Sequence, residues 1–409
     1  MLNVVILNGG RGASSLIPNL LAEDNFHVTS VVNAYDDGKS TGDIRRLFEM
    51  LGPSDLRKVQ ELMLNPLDSD YEASKNLYQY RYPNGSNREK IIRELEKFSQ
   101  EELDTLVGIS FQKDEITDAL RVFVREFIVT LKIIEKATDK KLMFGDCSIM
   151  NCIYAGAYLH FNRNIEAATV FFGSLFKLRG SVLPSSTEEK TLVALRENGE
   201  MLYCEADIVE LRSNVRIKDL YLINTKIDKD KFDKLDLEQK KYFLDRHDCF
   251  VPATNRVLAS IKNADIIIYA AGTQHSSLYP TYMTNGLPDA IAENKKALKV
   301  FLTNIGADYE TPSYKASDYI KGAFRYLSKV SSTSHTYDDF FNAILVNDNK
   351  KIDENYVEFD ASNFKDIPIE LIIKNFESDS DLGKHNASLL ISEIIKLYKN
   401  SIYSSLRKY

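Results

Sequence analysis

The chain has 409 residues, 44% hydrophobic and 27% charged, and its 52 basic and 59 acidic residues give a net charge of −7. That length holds one large α/β domain or a domain with a sizeable insertion, and the mildly acidic balance argues against a general nucleic-acid binder, which carries a basic face. Four scattered cysteines without CxxC spacing (Cys147, Cys152, Cys204, Cys249) argue against a disulfide framework and a structural zinc site. No apolar run reaches membrane-span length and no cleavage signal precedes the first strand, so a reducing cytoplasm is the expected compartment.

Leu2 to Leu7 (LNVVIL) predicts a strand buried on both faces of a parallel sheet. Asn8-Gly9-Gly10-Arg11-Gly12 follows, and a helical pattern opens near Ser14 with Leu16, Ile17, Leu20 and Leu21; Pro18 falls in its first turns, where proline costs least. A second strand is expected at Val28 to Asn33, ending in the polar loop Ala34 to Gly42. From about Glu89 to Lys141 the chain is charged, proline-free and helix-periodic, which predicts an inserted helical subdomain. A second β/α stretch is expected from Phe144, with a helix through Ile153, Ala157 and Leu159. Strand-like runs recur at Leu192 to Leu195, Ile266 to Ala271 and Val300 to Thr303, and Asp228 to Asp248 reads as a solvated helical excursion. Alternating β and α segments favour a parallel sheet.

The turns after the strands carry the chemistry. In NGGRG, glycines let backbone approach a phosphate while the following helix offers free N–H groups; the same glycines also serve a plain tight connection. Arg11 can clamp a phosphate or stay solvated. Asp36 and Asp37 can hold Mg²⁺, bond a ribose or act as a base, against the alternative of an Asx-type turn. Asp55 can cap the next helix while Arg57 turns to the ligand or to solvent. Ser148 and Asn151 share one face of a helix start, where they can donate to a ligand; helix capping by Asp146 or Ser148 is the other reading. Cys147, with no histidine nearby in sequence, reads as an inert buried thiol. Gly272, Thr273 and His275 follow the IIIYAA run and can form a second wall of the site, with His275 an acid or base or simply a surface histidine. Asn304 follows the VFLT run as a further lining residue or a plain loop start.

Ten segments in order resemble one family. They are NGGRG, VVNAYDDGKSTGDIRR, GPSDLRKVQELM, YQYRYPNG, FGDCSIMN, LRGSVLPSSTEEKTLVA, NADIIIYAAGTQHSSLYP, GLPDAI, VFLTNIGADYET and ASDYI. The family is the 2-phospholactate-transferase-like (CofD-like) superfamily, and YRY, VLPSSTEEKTLVA and GLPDAI look more like its gluconeogenesis-factor (YvcK-type) branch. The resemblance implies that Gly9, Gly10, Gly12, Asp36, Asp37, Asn151, Gly272, Thr273 and Asn304 surround one cleft. This chain departs from the family pattern in four places. Arg11 stands where Thr is usual, Cys147 where many members have His, Met150 for a glycine, and Ala270-Ala271-Gly272-Thr273 for GPGS.

The expected fold is α/β, a Rossmann-like mostly parallel sheet with helices on both faces. It is one domain over 1–409, with a helical insertion at 86–141 and a charged excursion at 228–248. Two functions stay open. One is a regulator of carbon or cell-wall metabolism that binds a nucleotide or nucleotide sugar by its phosphate. The other is a transferase moving a phospholactyl-type group from a nucleoside-diphosphate donor to a deazaflavin-like acceptor, with Asp36 and Asp37 as its catalytic and metal-holding pair. The expected cofactor is Mg²⁺. The expected partners are a small phosphate-bearing molecule and a second copy of the chain, with neither nucleic acid nor membrane.

Overall fold

A computed structural model describes residues 1–348 and 354–406, without the side chains of Arg11 and residues 404–406. The strands are β1 (Leu2–Asn8), β2 (Phe26–Val32), β3 (Ser181–Pro184), β4 (Thr191–Arg196), β5 (Met201–Leu202), β6 (Ile217–Ile223), β7 (Ile266–Tyr269), β8 (Leu298–Leu302), β9 (Ala343–Asn347) and β10 (Glu370–Lys374). Seven form one sheet in the order β10-β9-β8-β7-β1-β2-β3, and every pairing in it is parallel. Residues Val4–Asn8 are buried without alternation, as are Ile266–Tyr269 and Leu298–Leu302, because helices cover both faces of such a sheet. Strand order reverses between β1 and β7: the chain winds one way through β2 and β3 and the other way through β8 to β10. A crevice at the carboxyl ends of strands beside such a reversal is where open α/β sheets bind ligands.

The run at Leu192–Leu195 is a strand, as its apolar residues suggest, but it pairs antiparallel in a separate sheet ordered β5-β4-β6. A tight reversal at Gly199, which adopts φ +83°, returns the chain at once and leaves no room for a crossover helix. Val193, Leu195, Tyr221 and Ile223 on one face cover Phe232 and Leu244 of the charged 228–248 stretch. Leu192, Ala194, Leu220 and Leu222 join the main core. Phe144 opens no strand; a loop leads directly to the helix Ile149–His160.

Within 86–141 the helices Arg88–Ser99 and Asp114–Thr138 bury the predicted apolar stripes, Ile91, Ile92, Leu95 and Phe98 on the first and Leu120, Phe123, Phe127 and Leu131 on the second. These side chains belong to the same core as the sheet, and Phe127 stacks on Phe48 with ring centroids 5.3 Å apart. Gly156 permits the crossing with Ile149–His160, since a Cβ there would lie 1.8 Å from the carbonyl oxygen of Phe123. Among the described residues no helix is long and apolar enough to cross a membrane.

Lys299 on β8 is a buried cation, only 2% exposed, whose ammonium donates to the Asp339 carbonyl at 2.6 Å. Burial, with Lys295 nearby, pushes it down to about 8. The charged form is therefore disfavoured in the fold. Stability is expected to rise as pH rises from about 8 toward the unfolded value of about 10.4, at up to about 1.4 kcal/mol per pH unit. Lys299→Met is expected to raise stability at pH 7 and to flatten that rise; urea unfolding from pH 7 to 10 checks it, and an unchanged slope would refute the assignment to Lys299.

Candidate functional site

The loops at the carboxyl ends of β1, β2, β7 and β8 enclose a cavity of about 1400 Å³. Of the residues expected from the sequence, Gly9, Gly10, Gly12, Asp36, Asp55, Arg57, Gly272, Thr273 and Asn304 line it. The side chain of Arg11 lies outside the described parts of the chain.

The glycine turn is shaped by its neighbours as much as by any ligand. A Cβ on Gly9 would lie 2.1 Å from Ser277 Cβ, and one on Gly12 would lie 2.7 Å from the Ala271 oxygen. The turns after β1 and β7 therefore touch backbone to backbone. Gly10 has φ +46° and would set a Cβ 2.5 Å from Asp55 Oδ1, so both its conformation and its contact exclude a side chain. Asn304 fixes the other turn with two 3.0 Å bonds, accepting from the N–H of Gly272 and donating to its carbonyl.

The two aspartates separate. Asp36 faces the cavity, accepts from the Gly38 N–H at 3.1 Å, and is raised by burial and by the charge of Asp55. Asp37 does not line the cavity; its Oδ1 accepts from the Ala206 N–H at 2.9 Å, and its own N–H donates to Glu205 Oε2 at 3.2 Å. Glu205, on the helix Glu205–Glu210, completes a carboxylate-rich wall with Asp36 and Asp55, and burial with the charge of Asp36 pushes it well above the usual carboxylate range. Sequence reasoning missed Glu205, because nothing around it marks it and the small antiparallel sheet alone brings it to Asp37.

Asn151 and Ser148 stand behind the wall rather than on it. Asn151 is fully buried; its Oδ1 accepts from Arg57 Nε at 2.9 Å and its Nδ2 donates to Thr41 Oγ1 at 3.2 Å. Its amide is therefore spent on positioning. Arg57 also donates through Nη1 to the Tyr78 carbonyl at 3.1 Å, and its Nη2 makes no hydrogen bond among the described residues. Arg57 is only 5% exposed and lines the cavity in a fixed orientation. Ser148 takes the N-cap place of Ile149–His160 without a side-chain cap bond, and its hydroxyl is buried without a partner. Asp55 holds Lys58 at 2.9 Å and Asp146 holds Arg81 at 2.7 Å, so these cations of the same wall arrive neutralised. Cys147 is a fully buried free thiol. His275 is buried away from the cavity surface, and its ring is pushed down to about 3 by desolvation, which keeps it neutral at pH 7.

A family model described as 2-phospho-L-lactate transferase CofD matches residues 4–377. The chain is 25% identical over 375 residues to a relative from Thermotoga maritima, covering 89% of this chain and 88% of that one. It is 24% identical over 407 residues to the gluconeogenesis factor of Listeria monocytogenes, covering 97% of this chain and 96% of that protein. A solved structure from Bacillus halodurans, a member of the UPF0052 family, matches with a TM-score of 0.66 at 20% identity, over 96% of this chain and 98% of that one, and this likeness concerns the fold. With the match running through the glycine turn, the aspartate loop and the late turn alike, the chain belongs to the 2-phospho-L-lactate transferase CofD family.

Proposed function

We propose that the cavity binds a nucleotide or nucleotide sugar by its phosphate, and that the protein uses this binding as a regulator of carbon or cell-wall metabolism. The observation that carries the reading is Arg57, buried, fixed through Nε and Nη1, and lining the cavity beside the glycine turn. A fixed guanidinium with a free donor suits a phosphate oxygen. The cavity volume of about 1400 Å³ exceeds the roughly 300–1000 Å³ of common small-molecule sites, which suits a ligand as long as a nucleotide sugar. The name of the Listeria relative, gluconeogenesis factor, supports the link to carbon metabolism.

Among the described residues no three His, Cys, Asp or Glu side chains are arranged to hold a metal ion. Mg²⁺ needs no such cage, since it is held by one or two carboxylates together with substrate phosphates and water. Asp36 fits that part, and a cation beside it would relieve its crowding with Asp55 and Glu205. Asp37 does not line the cavity and its Oδ1 holds the Ala206 N–H, so Asp36 rather than Asp37 is placed for that role.

A thermal-shift series against UDP-sugars, UDP, GDP and NAD, each with and without Mg²⁺, tests the reading. Ligand at about 100 times Kd should add about 2.7 kcal/mol of stability. Stabilisation by a UDP-sugar, reduced in Asp36→Ala when Mg²⁺ is present, is expected. No shift with any nucleotide would overturn the proposal.

A further inference from the structure

Glu310, on the loop after β8, is 5% exposed, and its carboxylate is held by three donors of the turn after β7. Its Oε2 accepts from the N–H groups of His275 at 3.0 Å and Ser276 at 2.9 Å, and its Oε1 accepts from the Ser276 hydroxyl at 2.5 Å. Converging backbone N–H groups with a hydroxyl are how turns hold anions. Here the group held is the protein's own carboxyl: burial and the charge of Asp308 raise it to about 7, and the three bonds from His275 and Ser276 favour its charged form. The loop builds it in place, since Asp308 Oδ1 accepts from the Glu310 N–H at 2.7 Å. Both Asp308 and Glu310 line the cavity, and no lysine or arginine among the described side chains forms an ion pair with either. Lys384, the cation on this side of the cavity, is committed to Asp381 at 2.7 Å. The cavity thus has two unlike ends. The β1–β2 side carries Arg57, which forms no ion pair among the described residues, beside Lys58 and Arg81, which Asp55 and Asp146 neutralise, and the carboxylates of Asp36 and Glu205; the β8 side carries two carboxylates without a paired cation.

We propose that Glu310 is a resident anion that closes the turn after β7 to phosphate, so that the phosphate of a bound ligand is confined to the β1–β2 side against Arg57, and an uncharged, hydroxyl-bearing part of the ligand lies toward Asp308 and Glu310. The closure stands on the contacts above; the placing of the ligand rests on the nucleotide-binding reading. Glu310 is then a specificity-determining residue. It denies a second anionic group to one end of the cavity and sets the direction in which a phosphorylated ligand enters.

The probe is inorganic pyrophosphate, followed by calorimetry on the full chain in EDTA. Wild type is expected to bind no more than one pyrophosphate, and Arg57→Ala to lose it. Glu310→Ala, which vacates the three donors, is expected to bind one more than wild type, and the added site should persist in the Arg57→Ala, Glu310→Ala double variant. Unchanged stoichiometry and affinity in a folded Glu310→Ala overturn the proposal. Should that variant fail to fold, Glu310→Gln keeps an acceptor for both N–H groups and removes the charge; about tenfold tighter pyrophosphate binding is then expected, and wild-type affinity overturns the proposal. Equal binding by wild type and Arg57→Ala would sink the nucleotide reading while leaving the gain in Glu310→Ala as a separate result.

Discussion

Arg57→Ala is expected to weaken binding of a phosphate-bearing nucleotide about 100-fold, while costing the free protein only about 1–2 kcal/mol of stability. The affinity term follows from what is lost, a charge-assisted contact in a water-poor place worth about 3 kcal/mol. The stability term is smaller because two effects oppose. Asn151 Oδ1 and the Tyr78 carbonyl lose their donor, which costs stability. Against that, the variant no longer buries a charge, and it is burial that lowers the Arg57 value. Arg57→Lys is expected to recover little, since a single ammonium cannot bond Asn151, Tyr78 and a ligand in the fork that the guanidinium spans. Calorimetry on the nucleotide found by thermal shift, with urea unfolding of the same samples, checks both parts. A tenfold or smaller loss of affinity would mean that the phosphate sits elsewhere.

Gln60→Leu should be the most destabilising single change near the site, at about 4 kcal/mol. Gln60 is fully buried on the helix Ser54–Leu62 that also carries Arg57. Its Oε1 accepts from the hydroxyls of Tyr78 at 3.0 Å and Tyr154 at 2.5 Å, and its Nε2 donates to the Thr169 carbonyl at 2.8 Å. Leucine fills the volume and leaves two buried hydroxyls without their acceptor, at about 1–3 kcal/mol each before relaxation, while the Thr169 carbonyl keeps its bond within the helix Ile165–Leu175. Adding Tyr78→Phe and Tyr154→Phe to Gln60→Leu should restore much of the loss, because removing both sides of a buried bond costs far less than removing one. Denaturant unfolding of the single and triple variants measures this. A loss below about 1 kcal/mol in the single variant would show that water replaces the amide. The network also bears on the site, since the Tyr78 carbonyl is one of the two groups that fix Arg57.

Much of the scaffold was legible in the chain. The apolar runs at β1, β2, β7 and β8 are buried on both faces, and a run without polar alternation has few other places to go than the middle of a covered parallel sheet. The turns that follow these runs meet at one edge because parallel strands end on the same side. That places Gly10, Asp36, Thr273 and Asn304 around one cavity without further information. Less legible were β3, β9 and β10, of which β10 lies at the sheet edge with three of its five residues exposed, and the antiparallel pairing of β4, which depends on a reversal at Gly199 rather than on the strand's own residues.

By itself, then, the sequence determined the parallel α/β frame, the family, and the edge of the sheet where the conspicuous loops gather. Local patterns carry that information, because burial periodicity and turn residues act over a few positions. Only the tertiary structure decided what each polar group does there. Asn151 is turned inward to hold Arg57, Asp37 is spent on Ala206, and Glu205 and Glu310 enter the cavity from segments 168 and 274 residues away from Asp37 and Asp36 in sequence. A hydrogen bond is decided by an approach of about 3 Å, and no spacing along one strand or helix encodes which distant segment will make it.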